Sequence, residues 1–247
     1  MKLLSHIDQA TITNEWDELS EIRYRQILSG IDVTYTNVLI PNVLKLLPNG
    51  PSRLVVDAGC GVGILTKELI KHFPNVIGID PSAKSIKFAQ AHCGRAVDFH
   101  ATSLEAYAVS NANVAGIVVA NMVMMDVANL SSFIQSIRNI LQQDGALIFS
   151  ITHPFFWPIY MGYSQEKWFS YDSELIIRAP FQISNEAVAF ESTHVHRPLE
   201  QYIKALSDSD FVLDALSEPM PSCDLECQYP QPWKFPRYLF GRAILRS

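Results

Sequence analysis

Between Arg53 and Ile151 the chain alternates short, dense apolar runs with longer stretches whose apolar residues recur every three to four positions. That alternation predicts buried strands joined by amphipathic helices, a βαβ succession with a parallel sheet. RLVVDA (53–58) reads as a strand, ILTKELIKHF (64–73) as a helix and NVIGID (75–80) as a second strand. Pro81 suits a first helical position, where a fixed φ helps and a missing N–H costs nothing. The helix after it runs from Lys84 to Cys93. VDFHA and AGIVVA read as a third and a fourth strand. Leu130, Phe133, Ile134, Ile137 and Leu141 share one helical face, predicting a helix from Asn129 to Gln142 that lies on the sheet. Asp144-Gly145 then turns the chain into ALIFSI, the fifth strand. The expected fold is an open, doubly wound α/β sheet, which binds ligands beyond the carboxyl ends of its strands near the switch in strand order.

The flanks follow other patterns. Residues 1–48 read as helices, with Asp32 an N-cap before VTYTNVLI and Pro41 breaking or restarting the run. Residues 152–197 are rich in aromatics and contain two alternating stretches, LIIRAPFQI and AVAFESTHV, that predict an antiparallel hairpin. Pro198 to Leu206 reads as a helix, FVLDAL as a strand and RYLFGRAIL as the final strand.

Composition narrows the chemistry. With 48% hydrophobic residues and a net charge of -6 the chain is globular and lacks an overall basic footprint, so nucleic acid is not an expected partner. No apolar run approaches the roughly 20 residues of a membrane span, and MKLLSHIDQA lacks a secretory core, so the expected location is cytoplasmic. The four cysteines, Cys60, Cys93, Cys223 and Cys227, are too few and scattered for a disulfide framework. Cys223 and Cys227 resemble half of a zinc site, but no second pair at ligand spacing follows, and no metal is expected.

The first strand runs into Asp57-Ala-Gly59-Cys60-Gly61-Val-Gly63. A pyrophosphate turn calls for G-x-G-x-x-G with a helix N-terminus facing the phosphates. Here the third glycine comes one residue early, and the Asp57 carboxylate would repel a phosphate but suit an ammonium. Asp80, at the end of the second strand, is placed to take the two hydroxyls of a ribose. This combination, D-A-G-C-G-V-G followed by V-I-G-I-D, resembles the class I S-adenosylmethionine-dependent methyltransferases. The resemblance implies a Rossmann-like, seven-stranded, mostly parallel sheet whose last strand, RYLFGRAIL, is antiparallel. It implies that S-adenosylmethionine is the cofactor, that Asp57, Gly59, Cys60, Gly61 and Gly63 line its methionine portion, and that Asp80, with Pro81 beside it, holds the ribose. VDFHATSLE matches the segment that passes the adenine, with Ser103 where an Asp is common; its hydroxyl or the Leu104 backbone would accept from the amine. Asn121 and Met122 match positions facing the reacting methyl, and Tyr35 in DVTY matches a cofactor contact from the N-terminal cover.

Methyl transfer from a sulfonium is an in-line displacement, for which alignment and a dry site supply much of the acceleration. His153-Pro154 after the fifth strand resembles a small-molecule-type branch of these enzymes, in which an aromatic insertion covers the acceptor. Phe155, Phe156, Trp157, Tyr160 and Tyr163 would be its wall, or simply pack the insertion onto the sheet. His153 and His196 are candidate acids, bases or acceptor anchors; His194 and His196 share one face of a strand without a further ligand to complete a metal set. Arg197 either binds an acidic acceptor or anchors the insertion by a salt bridge. The expected whole is a single methyltransferase domain, 1–247, with an N-terminal helical cover (1–48) and an inserted lid (152–197). It would methylate oxygen, nitrogen or carbon of a small aromatic or apolar acceptor. Rival readings are a tRNA-modifying methyltransferase, a nucleotide-dependent oxidoreductase, and a non-catalytic module that binds S-adenosylmethionine.

Overall fold

A computed structural model describes residues 1–48, 53–183 and 186–246. The chain begins with a short strand, β1 (Lys2–Leu4), followed by the long helix α1 (Gln9–Leu28), whose N-cap Asp8 accepts from the Thr11 N–H. Asp32 accepts from the Tyr35 N–H at 2.9 Å and so caps the next helical run, as its position predicts. That run widens into a π turn at Tyr35–Leu39 and continues as α2 (Ile40–Leu46). Pro41 sits in the first turn of α2, where a missing N–H costs nothing, so the α-helical run restarts there after the π turn. Then come β2 (Val55–Ala58), α3 (Ile64–Leu69), β3 (Val76–Asp80), α4 (Ala83–Cys93), β4 (Asp98–Ala101), α5 (Leu104–Ala108) and β5 (Ala115–Asn121). α6 (Leu130–Ile140), capped by Asn129, leads into β6 (Leu141–Thr152).

The Asp144-Gly145 turn falls inside β6. While β5 advances from Ala115 to Ile117, its partner advances from Leu141 to Ala146, so the residues between swing out of register. Beyond β6 lie α7 (Phe156–Met161), β7 (Leu175–Ile183), β8 (Glu186–His196), α8 (Leu199–Asp208), β9 (Phe211–Ser217), α9 (Cys223–Glu226) and β10 (Tyr238–Leu245). The main sheet has the order β4-β3-β2-β5-β6-β10-β9. Its left half is parallel throughout, and β10 runs antiparallel to both neighbours, as the resemblance implies.

Side chains alternate between the faces of this sheet. Val56, Val118, Ala120, Leu147 and Phe149 pack with Phe133, Ile134 and Ile137 of α6 and Leu206 of α8. Val55, Ile117, Val119 and Ile148 pack on the other face with Leu39, Val43 and Leu65. Burial on both faces explains why these strands read as continuous apolar runs.

The expectation that residues 1–48 are entirely helical is corrected by β1. It adds to the predicted hairpin in a second, antiparallel sheet of order β1-β7-β8, pairing Leu3 with Ile177. Three residues carry no measurable periodicity; what recruits them is the unpaired edge of β7. The hairpin turn at 184–185 lies outside the described residues. Among the described residues no helix is long and apolar enough to cross a membrane.

Candidate functional site

The turn after β2 is shaped by its three glycines. Gly59, Gly61 and Gly63 all have positive φ (74°, 52° and 80°), which side chains other than glycine rarely adopt. The Gly59 and Cys60 N–H groups both donate to the Ile79 carbonyl, clamping the turn to β3. A Cβ on Gly63 would lie 2.8 Å from that of Ala89, so this glycine serves the close approach of α3 and α4. A Cβ on Gly61 would meet nothing within 4 Å, and its N–H donates to Asp80 Oδ2 at 2.9 Å. Cys60 is buried beneath the turn, and burial, with Asp80 and Asp57 adding to it, pushes its thiol well above the ordinary value.

Asp80 receives one backbone donor on each oxygen, Gly61 N–H and Ser82 N–H (2.8 Å), which leaves a lone pair on each for a further donor. Partial enclosure raises its carboxyl to about 6. Ser82 in turn donates to Asp17 of α1 at 2.8 Å, so the N-terminal helix braces this corner, and Pro81 is exposed beside it. Asp57 is fully buried. Its carboxyl accepts from the Thr66 hydroxyl at 2.6 Å and has no cationic partner among the described residues. Burial, only partly offset by that bond and reinforced by Asp80, raises it to about 7.

β5 ends one strand away, at the switch in strand order. Asn121 Oδ1 accepts from the Ser150 hydroxyl at 2.6 Å, and Met122 N–H donates to that same hydroxyl at 3.0 Å. Met122 itself sits at φ 59°, a conformation costly for a residue with a Cβ and characteristic of functional sites. The Tyr35 hydroxyl faces Asp57 and Asn121, and burial, with the negative charge of Asp57, raises it. Tyr35, Asp57, Gly59, Gly61, Asp80, Asn121 and Met122 are thus brought together. Ser103 stands apart in role. Its hydroxyl caps α5 by accepting from Ala106 N–H at 3.2 Å, while Leu104 is buried behind it.

These groups fit S-adenosylmethionine. The unpaired, buried carboxyl of Asp57 suits an ammonium, the paired lone pairs of Asp80 suit a vicinal diol, and Gly61 leaves its surface clear.

The insertion departs further from expectation. His153 Nδ1 accepts from the N–H groups of Phe155 and Phe156, both at 3.2 Å, and Nε2 bonds Glu218 at 2.7 Å. Both ring nitrogens are engaged, which ties His153 into the turn at the end of β6 and to Glu218. His196 is buried with Nε2 donating to the Tyr171 carbonyl at 3.0 Å; burial lowers its pKa, and that of His194 to about 4. Both imidazoles line a cavity of about 10 Å³, room for about one water, together with His153, Trp157, Tyr163, Arg197 and Tyr202. No residue of the glycine turn, Asp80 or Asn121 reaches it.

Arg197 is 2% exposed. It donates to Glu174 and to the carbonyls of Met124, Val127 and Ala128. Its donors are spent on the loop after β5, so the open choice between acceptor ligand and anchor closes in favour of the anchor. Phe155 is 52% exposed and meets the rings of Phe156 and Tyr171 edge-on. Phe156 is packed between His153 and Phe235, whereas Trp157 meets Tyr160 and Tyr238. Cys223 and Cys227 are free, and among the described residues no three His, Cys, Asp or Glu side chains converge as a metal site.

Several participants carried no signal in the sequence. Tyr238 opens β10 and faces Asp32, Tyr160 and Arg237. Tyr229 bonds Thr34 at 3.1 Å, and Trp233 packs between Tyr229 and Tyr238. They come from a Pro-rich segment after α9 with no periodicity. A mixture of aromatics and one arginine in QYPQPWKFPRY was the only available hint.

Residues 56–149 match the family model described as a methyltransferase domain. Ubiquinone biosynthesis O-methyltransferase from Rattus norvegicus is 32% identical over 151 residues, 56% of this chain and 43% of that protein. The Nitrosomonas europaea protein of the same name is 28% identical over 138 residues, 55% of this chain and 56% of its own. The chain therefore spans about half the length of these relatives. A putative S-adenosylmethionine-dependent methyltransferase of Listeria monocytogenes shares the fold, with a TM-score of 0.66 at 20% identity over 84% of this chain and 97% of that one. So does 1,6-didemethyltoxoflavin-N1-methyltransferase of Burkholderia thailandensis, solved with bound 1,6-didemethyltoxoflavin and S-adenosylhomocysteine, with a TM-score of 0.59 at 15% identity over 93% of this chain and 88% of that one. Residues 56–149 thus match a methyltransferase domain and share the fold of these enzymes, in line with the resemblance carried by the glycine turn and Asp80.

Proposed function

We propose that the protein carrying this methyltransferase domain transfers a methyl group from S-adenosylmethionine to oxygen, nitrogen or carbon of a small aromatic or apolar acceptor. The observation that carries the reading is the convergence of Asp57, Asp80 and the Asn121–Met122 pair at the carboxyl ends of β2, β3 and β5, where the strand order switches. When bound, the cofactor supplies a methyl group on a positively charged sulfur.

The chain supplies position. Asp80 takes the ribose hydroxyls, Asp57 the ammonium, and the Gly59–Gly63 turn makes room for the amino-acid tail. Ser103 or the Leu104 backbone reaches the adenine. Asn121, Met122 and Tyr35 face the transferred group. Trp157, Tyr160 and Tyr238 wall the acceptor side, with Phe156 packed behind them. α1 acts as a cover and residues 152–197 as a lid, within a single domain. Because both nitrogens of His153 are held, acceleration rests on alignment and exclusion of water rather than on that base. An oxygen acceptor is supported by the printed names of the O-methyltransferase relatives. A small-molecule partner is supported by those names and by the chain's negative charge, which disfavours a nucleic acid.

Calorimetric titration with S-adenosylhomocysteine tests the reading. Wild type should bind it, and Asp80→Ala should bind at least about tenfold more weakly, having lost charge-assisted bonds to two hydroxyls. Absence of binding by folded wild type overturns the proposal; unchanged affinity in the variant overturns the ribose assignment.

A further inference from the structure

Arg237 precedes β10, and its carbonyl accepts from the His153 N–H at 2.8 Å, which fixes the backbone beside the end of β6. The residue is 9% exposed. Its guanidinium lies 3.9 Å from the Tyr160 ring centroid, 4.4 Å from that of Trp233 and 5.8 Å from that of Tyr229. Rings of this kind favour a cation yet offer its N–H groups no lone pair in return. The side chain makes no salt bridge and no hydrogen bond among the described residues. Asp32, whose charge is felt by Tyr229 and Tyr238 alongside that of Arg237, is already paired with Arg23 at 2.9 Å. A buried arginine ordinarily spends its donors, as Arg197 does in this same molecule. Close by, the indole Nε1–H of Trp233 is buried and has no acceptor either. The buried indole donor of Trp233 and the guanidinium donors of Arg237, which keep some access to solvent, thus meet in one aromatic box.

The box lies on the acceptor side of the sheet. Tyr238 pairs with Thr152 of β6, and Ser150 of β6 pairs with Asn121 of β5. Two strand spacings separate β10 from β5, about 10 Å. β6 occupies that interval within the sheet, so an acceptor reaching from Asn121 to Arg237 would lie across the carboxyl end of β6. Trp157 and Tyr160 flank the way between, since Trp157 touches both Tyr160 and Tyr238.

We propose that Arg237 binds a carboxylate on the methyl acceptor, making the substrate class a small aromatic acid. A planar carboxylate meets the guanidinium fork edge-on with two parallel hydrogen bonds, which leaves the aromatic contacts intact. The proposal rests on the methyl-transfer reading for the other end of the same acceptor, and it moves the acidic-acceptor role from Arg197 to a residue whose donors are free.

The test uses the full chain saturated with S-adenosylhomocysteine and titrated with benzoate, benzamide and phenyl phosphate. Binding is followed by calorimetry. Benzoate should bind wild type at least tenfold more tightly than benzamide. Arg237→Gln should abolish the preference, and Arg237→Lys should retain the charge but lose several-fold in affinity. S-adenosylhomocysteine affinity should be the same in all three proteins, which also reports that the variants are folded. Equal binding of benzoate and benzamide by wild type overturns the proposal, as does a preference that survives in Arg237→Gln. A preference for phenyl phosphate over benzoate overturns the carboxylate assignment. If wild type fails to bind S-adenosylhomocysteine, the methyl-transfer reading falls, while the benzoate comparison still decides the role of Arg237.

Discussion

Asp57 and Asp80 hold their protons to about pH 7 and pH 6 because burial disfavours their charge. Their folded values lie above the ordinary 3.8, so the folded chain binds more protons than the unfolded chain between about pH 4 and pH 7. Their contribution to stability is therefore fullest below about pH 4 and falls as the pH rises through 7. An ammonium beside Asp57 inverts that cost, so affinity for S-adenosylhomocysteine should rise with pH over the same window. In thermal unfolding from pH 4 to 8 without ligand, wild type should lose stability relative to Asp57→Asn. Calorimetry should show a steeper pH dependence of affinity in wild type. Parallel curves for the two proteins would dismiss Asp57 as the ammonium site. Such residues were legible in the sequence because acid, glycines and second acid sit within 24 positions of one βαβ unit. Arg237 was not, since its box draws Tyr160, Tyr229 and Trp233 from separate segments that only the fold brings together. Nor was the anchoring role of Arg197, because its partners are backbone carbonyls and any sequence supplies those.

Helices and strands of the central sheet could be read from periodicity because each buries a full face, and burial selects residue type. β1 could not, being three residues recruited by another strand's edge, and the π turn before Pro41 could not, since hydrophobic spacing does not record a backbone donor. The three glycines divide between these levels. Gly63 lets α3 approach α4, whereas Gly61 borders open space next to Asp80. Gly63→Ala should cost about 1–3 kcal/mol of stability through its positive φ and the clash with Ala89. Gly61→Ala, strained by about 1 kcal/mol, should instead weaken S-adenosylhomocysteine binding more than it lowers the melting temperature. Paired thermal and calorimetric measurements distinguish the two, and equal losses in both properties would show that the turn acts as one structural unit.

Across the whole molecule, polar ties join the small sheet to the loop after β5 and to α1. Arg197 links the end of β8 to the loop after β5, and Glu15 of α1 accepts from Thr193 N–H at 2.7 Å and pairs with Arg178. Two residues further along α1, Asp17 accepts from Ser82 beside Asp80. A single helix therefore touches both the insertion and the ribose corner. Replacing Arg197 with Met should orphan three carbonyls and cost about 3 kcal/mol or more. It should also raise the rate of proteolytic cutting within residues 152–197, and an unchanged digestion pattern would refute its anchoring role.

The place of β10 between β6 and β9 has a consequence for how the protein is made. Chains emerge from the ribosome N-terminal end first, and the strand that must slide between two others follows both of them and is the last of the ten among the described residues. Until it arrives, β6 and β9 cannot be joined, Phe240 leaves its side of the core unfilled, and Arg237 has no fixed place beside His153. The cofactor end of the molecule can take shape during synthesis. What β10 completes must wait for Tyr238–Leu245, so a chain stopped before that strand could assemble β2, β3 and β5 without the seam between β6 and β9.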